Sequence, residues 1–243
     1  TDAEPAQFET EYTYSDLLIN TQGKGMLGFA GLQSTDLNSG MRMTTRMSII
    51  PVAEFPYISE QKVYLTHFST DESDDELRMT NLTEISPSVS SAYGFYPITT
   101  SSVSIDHDLR TIIETVVDPA ELDMYGNVLK STSKVYNMTS VIDQTERSLN
   151  NLVQTKVTEI SYNYSFETSK HLLGLPASTT ETVTKTGSPA ITSKMNFLYH
   201  PDGNIWKTIQ NPSMFMSNKS VVTEMLGYNG CGMPTIQQVS APN

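Results

Sequence analysis

Few residues in this sequence have the types and spacing that chemistry needs. His107 stands between two carboxylates in "DHD", Asp106 to Asp108, a triplet that could serve acid–base work or hold a cation. The other histidines, His67, His171 and His200, are scattered, and none makes an HxxxH pair. Without such partners the triplet reads as an exposed turn. Cys231, the only cysteine, lies between Gly230 and Gly232 with no histidine in its segment to act as a base. It reads as a small, half-buried turn residue. The acidic run "TDESDDE", Thr70 to Glu76, lacks EF-hand spacing and reads as a solvated loop. No GxSxG, Walker-type or Rossmann glycine pattern occurs. The expectation is therefore no catalytic, cofactor-binding or metal site, and a protein that is not an enzyme.

The bulk composition narrows the classes further. Across 243 residues, 15 Lys+Arg stand against 27 Asp+Glu, a formal charge of −12. Such a surface repels polyanions, so nucleic acid is excluded as a partner and anionic membrane is disfavoured. No apolar run approaches the roughly 20 residues that span a bilayer, so no membrane insertion by this segment is expected. A lone cysteine rules out an internal disulfide framework. Charged residues make up 17%, while Ser and Thr together reach about a quarter, a balance typical of exported β proteins.

The elements that must position these residues are strands. In "EISYNYSF", Glu159 to Phe166, the residues Ile160, Tyr162, Tyr164 and Phe166 share one face, the period of two of a half-buried strand. "KMNFLYH" repeats the pattern, and "RTIIETVV", Arg110 to Val117, is mostly β-branched and reads as strand. "SPSVSSAYGFYP", Ser86 to Pro97, has the composition of a loop, and "KTGSP", Lys185 to Pro189, that of a hairpin tip. The fold class is all-β.

Glycine turns punctuate the second half. "LLGLP" centres on Gly174, "PDGN" on Gly203 and "GCGMP" on Gly232, spaced 29 residues apart twice running. Tyr199 and Tyr228 each stand four residues before the glycine of their turn, and "DMYGN" holds a further turn at Gly126 and Asn127. Strand, glycine turn, strand at such a period signals a repeat architecture. Glycine supplies the left-handed backbone of a tight turn, and Asn tolerates it next best.

At these residues the chain resembles the Rhs/YD-repeat family, whose repeat is written approximately YDxxGN. "YHPDGNIWKTI" matches at Tyr199, Gly203 and Asn204, with His200 in place of the usual Asp. "LDMYGNVLKSTS" matches at Asp123, Tyr125, Gly126, Asn127 and Val128. "GYNGCGMP" resembles a YDxxGRxP form at Tyr228, Gly232 and Pro234, with Asn229 for Asp and Met233 for Arg. "HLLGLP" resembles a WLLGRPT-like run, carried by Gly174 and Pro176. Tyr12 to Met47 resembles the YxYxGxxxxxxGRGxLGF segment that precedes the repeats, matching at Gly25, Leu27, Gly28 and Phe29.

The resemblance implies successive antiparallel β-hairpins forming a long curved ribbon or part of a β-shell. Residues 1–110 would be the pre-repeat segment and 111–243 the repeat hairpins, in one continuous structural unit. The implied role is non-catalytic: to wall a shell that encloses or presents a toxin or effector, as part of a larger exported bacterial protein, secreted or at the cell surface. Partners would be the remainder of that polypeptide and its cargo. The alternative is a cell-surface β module that binds carbohydrate or another protein.

Overall fold

The computed structural model describes residues 9–20, 23, 25–50, 55–65, 75–90, 94–138, 151–166, 174–212, 220–231 and 233–240. Gly232, His67, His171 and positions 70–74 of the acidic run lie outside the described residues. Among the described residues, fourteen antiparallel strands make one sheet in which every strand neighbours the next in sequence. They are β1 (Thr10–Asn20), β2 (Gly25–Asp36), β3 (Met41–Ile50), β4 (Phe55–Leu65), β5 (Glu76–Ser90), β6 (Gly94–Asp106) and β7 (Thr111–Val116). Then follow β8 (Lys130–Asn137), β9 (Leu152–Tyr162), β10 (Pro176–Lys185), β11 (Ile191–Tyr199), β12 (Ile205–Pro212), β13 (Val221–Tyr228) and β14 (Pro234–Ser240). The described residues contain no α-helix, as the scarcity of helical spacing predicts. By internal packing the chain divides into two compact units, Thr1–Val116 with Val135–Leu152, and Val117–Lys134 with Val153–Asn243.

The first unit holds the apolar core. In register, Thr80 faces Ile105, which faces Ile112, and the next row runs Leu82, Val103, Glu114. Directly opposed residues share a face, so these two rows form one patch. Tyr136 and Met138 pack against it. Ile112 is wholly buried while its neighbour Ile113 is exposed, as alternate residues of a strand must be when one face is covered. Each such isoleucine contributes about 1.5–3 kcal/mol by leaving water. The Tyr136 hydroxyl donates to Glu114 Oε2 at 3.2 Å, which satisfies the polar end of a buried ring.

Two hairpin tips in this unit share one device. Asp36 pairs with Met41 across residues 37–40, and Asp106 pairs with Thr111 across 107–110. Asp36 Oδ1 accepts from the Asn38 N–H at 2.9 Å, and Asp106 Oδ1 from the Leu109 N–H at 2.8 Å. The last tip residue is left-handed in each case, Gly40 at φ 70° and Arg110 at φ 52°. Glycine takes that conformation freely, whereas a side chain there costs about 1–2 kcal/mol.

Several expectations are corrected here. The described residues of Ser86 to Pro97 are strand rather than loop. β5 runs to Ser90 and β6 begins at Gly94, with Pro87 opposite Pro97 and Val89 opposite Phe95. The extended preference of Val89, Phe95, Tyr96 and Ile98 carries the ladder through the intervening serines. At the described end of the acidic run Asp75 is not solvated, although Glu76 remains half exposed. Asp75 forms an ion pair with Arg42, both side chains largely buried, and the Arg42 guanidinium lies 4.7 Å over the Tyr64 ring. Glu76 pairs with Arg78 at 2.5 Å.

The second unit is built differently. None of its described residues is fully buried, so both faces of its strands stay partly in contact with solvent. Cross-strand polar pairs take the place of a core. Thr182 and Thr192 hydroxyls meet at 3.1 Å, Ser161 and Ser178 at 2.8 Å, and Lys156 holds Glu181 at 2.5 Å. The high Ser and Thr content finds its use there, each pair worth a few tenths of a kcal/mol up to about 1. "KTGSP" makes the tip between β10 and β11, with Gly187 at φ 77°. "EISYNYSF" is strand only as far as Tyr162. Asn163 Oδ1 accepts from the N–H and hydroxyl of Ser165, at 3.0 and 2.6 Å, and that Asx turn bends Tyr164–Phe166 into a 3-10 turn.

Candidate functional site

Three glycine turns in the second unit superimpose in their bonding. Leu122 opposes Val128, Tyr199 opposes Ile205, and Tyr228 opposes Pro234, each pair closing a five-residue tip. Inside each closing pair the first N–H donates to the fifth carbonyl: Asp123 to Asn127 at 3.0 Å, His200 to Asn204 at 2.8 Å, Asn229 to Met233 at 2.9 Å. Gly126 and Gly203 sit at φ 87° and 92°, and their N–H groups donate back to the Asp123 and His200 carbonyls. These positions call for glycine because a Cβ at positive φ is strained.

The side chain after the closing residue organises the tip. Asp123 Oδ1 accepts from the N–H groups of Tyr125 and Asn127, both at 2.8 Å. Asn229 Oδ1 does the same for Cys231 at 3.0 Å and Met233 at 2.9 Å. In the middle turn, where His200 has no side-chain oxygen, Asp202 takes over, its Oδ1 accepting from the Asn204 N–H at 3.1 Å. Asn127 and Asn204 each tie their side-chain amide to the organising carboxylate, at 2.8 and 3.0 Å. The bonds from Asn204 hold the Asp202 carboxyl below the usual carboxylate range.

Tyrosines then link successive connections. The Tyr199 hydroxyl donates to the Pro176 carbonyl at 2.7 Å, and the Tyr162 hydroxyl to the Val128 carbonyl at 3.1 Å. In each case a residue ending one strand reaches back to an earlier carbonyl, that of Pro176 at the start of β10 or that of Val128 in the bridge before β8. Burial pushes the Tyr199 phenol up to about 12. Tyr228 stands at the equivalent place, but its hydroxyl is buried with no hydrogen-bond partner among the described residues. A further tyrosine, Tyr164, donates to Asp123 Oδ2 at 2.8 Å, and burial first and Asp123 second raise it to about 12.

The structure places Tyr125, Gly126 and Asn127 in the first turn, Tyr199, Gly203 and Asn204 in the second, and Tyr228 and Pro234 at the mouth of the third. Pro234 opens the last strand, where a missing N–H costs least. Gly174 belongs to a longer connection, residues 163–175, and Pro176 opens β10 opposite Tyr162. The Gly174 backbone passes close to the first turn, where an added Cβ would come 3.4 Å from Asn127 Oδ1. Equal glycine spacing therefore joins two different kinds of connection.

The chemically suggestive residues do not converge. His107 is partly buried, contrary to the exposed turn expected, and its Nε2 meets the hydroxyl of the buried Thr80 at 3.2 Å. Burial lowers its pKa against the opposing pull of Asp106 and Asp108. Asp108 turns away to Arg78 at 2.6 Å. Cys231 is exposed rather than half-buried, because the turn presents it outward while its N–H bonds inward. Trp206 and His200 rings stand 6.2 Å apart, and Tyr228 meets His200 edge-on at 6.1 Å, a small aromatic group that sequence reading missed. Its signal was available only as register, since His200 follows the last residue of β11 and Trp206 follows the first residue of β12.

One concavity of about 480 Å³ lies on the first unit over Gly31. Ser15, Gly31, Arg46 and Glu60 form a cross-strand row along it. A Cβ on Gly31 would meet the Ser15 hydroxyl, which would have to rotate away. The lining has no histidine or cysteine.

No protein-family model matches the chain, and no curated protein matches it. Solved structures do. A TcdB2-TccC3 chain superimposes with a TM-score of 0.59 at 13% identity, over 84% of this chain. A TcdB2-TccC3-Cdc42 structure gives 0.59 at 11%. The Photorhabdus luminescens Tc holotoxin pore gives 0.60 at 11%, again over 84%. The chain spans only 15% of the length of each of those chains. At such identity the likeness is one of fold.

Proposed function

We propose that this chain is a wall segment of a larger Rhs/YD-repeat-type protein, and that it does no chemistry of its own. Its hairpins enclose or present a toxic cargo, in a protein that acts outside the bacterial cell or at its surface. Residues 1–110 lead into the repeat hairpins of 111–243, and the partners are the rest of that polypeptide and the cargo. The observation that carries this reading is the recurrent turn: Asp123 and Asn229 each gather two backbone N–H groups with one oxygen at the same step after the closing residue. The fold shared with TcdB2-TccC3 chains supports it, as does a second unit with no buried side chain among its described residues. Faces left in that state are suited to lining something larger. Electron microscopy of the native particle tests the proposal. A closed shell with density inside is expected, and a solid or open particle overturns it.

A further inference from the structure

We propose that Asn229 is a site of spontaneous deamidation, converted to aspartate by the geometry of its own turn. The reaction needs the Gly230 nitrogen to attack Asn229 Cγ. The nitrogen gives up its proton to water, and Nδ2 leaves as ammonia. Water then adds across the new Cγ–N bond, which restores the Gly230 amide and leaves a carboxylic acid. Side-chain amide and water become carboxylic acid and ammonia, with no oxidant or reductant.

Three features of the turn favour that path. As Cγ becomes tetrahedral, negative charge develops on Oδ1, and two backbone N–H groups already point at it, from Cys231 at 3.0 Å and Met233 at 2.9 Å. Preorganised donors at a developing oxyanion lower the barrier. Gly230 carries no side chain, and nothing outside its chain neighbours lies within 4 Å of where one would be, so no side chain at 230 screens its nitrogen. Neither the Gly230 N–H nor Asn229 Nδ2 has a hydrogen-bond partner among the described residues, so nucleophile and leaving group are both free. Asn127 and Asn204, at the far end of the other two turns, differ on both counts: each has its side-chain amide held by a carboxylate, and each precedes a β-branched residue, Val128 or Ile205.

The turn also selects the product. An aspartate at position 229 keeps both Oδ1 bonds, as Asp123 shows with Tyr125 and Asn127, and makes them charge-assisted. Isoaspartate would add a methylene to the main chain and open the loop that the Asn229 N–H closes on the Met233 carbonyl. The last turn thereby acquires the residue type that organises the first, and the formal charge of −12 becomes one unit more negative.

The test follows the Asn229 peptide by mass during incubation of the chain at mildly alkaline pH, folded and in concentrated urea. Fragmentation that separates aspartate from isoaspartate reads the product. Expected is a gain of about 1 Da, severalfold faster in the folded chain than in urea, with aspartate dominant. Equal or slower conversion in the folded chain, or an isoaspartate majority there, overturns the proposal.

Discussion

The Tyr199 hydroxyl donates to the Pro176 carbonyl at 2.7 Å, so the residue that closes β11 is tied to the residue that opens β10. Tyr162 makes the same kind of link to Val128 across 34 positions of sequence. In strands with no buried side chain, these links fasten one connection to the next.

Removal of the link has a definite cost. Tyr199→Phe and Tyr162→Phe should each lose about 1 kcal/mol in urea unfolding, the ordinary net value of one hydrogen bond. Tyr228→Phe should be neutral or slightly stabilising, because its buried hydroxyl has no partner among the described residues. Equal losses in all three variants would contradict the assignment.

Alkaline pH should act through the same group. The Tyr199 phenol is raised from 10.0 to about 12 in the folded chain. Its contribution is complete below about pH 10 and is lost as pH rises towards 12, because the unfolded chain gives up its proton first. Stability measured across that window should fall less steeply in Tyr199→Phe than in the parent.

Asp123 should be the most sensitive turn residue. Its carboxylate takes two backbone N–H groups, the Asn127 amide and the Tyr164 hydroxyl. Asp123→Ala should cost about 2–3 kcal/mol, and Asp202→Ala, which loses only bonds to Asn204, about 1. Chemical denaturation of the two variants side by side gives the comparison, and a reversed order would count against the turn geometry.

Much of this was legible in the sequence, for physical reasons. The β-branched run in "RTIIETVV" marked a strand, though not that Ile112 faces inward and Ile113 outward, and glycine, Asn and Asp marked the tips. What stayed hidden depends on register and on distant strands. Nothing local to Tyr162 points to Val128, and nothing in "TDESDDE" points to Arg42. Asn163 in "EISYNYSF" broke an alternation that would otherwise have continued, because an Asx turn competes with the ladder. Gly174 misled through spacing alone.

Arg110 offers a gain. Held at φ 52° in the place Gly40 fills at φ 70°, it should yield about 0.5–1 kcal/mol when replaced, as Arg110→Gly, net of the extra freedom glycine brings to the unfolded chain. A raised denaturation midpoint with unchanged slope would verify it. A lowered midpoint would show that the side chain contributes more than its strain.

Edge strands should make the isolated chain associate. β1 and β14 end the strand order, and β14 exposes Ile236 and Val239. Light scattering should show growth with concentration, suppressed by Ile236→Lys with Val239→Lys. A monodisperse monomer at all concentrations would speak against open edges.

The central claim is that this chain works as part of a longer polypeptide. The most direct measurement is the size of the native product, by immunoblot of source cells and culture fluid with an antibody to this segment. A band far above 26.9 kDa, accompanied by a separately released smaller fragment, is the predicted result. A single band at 26.9 kDa would contradict it and leave a free-standing β binding module.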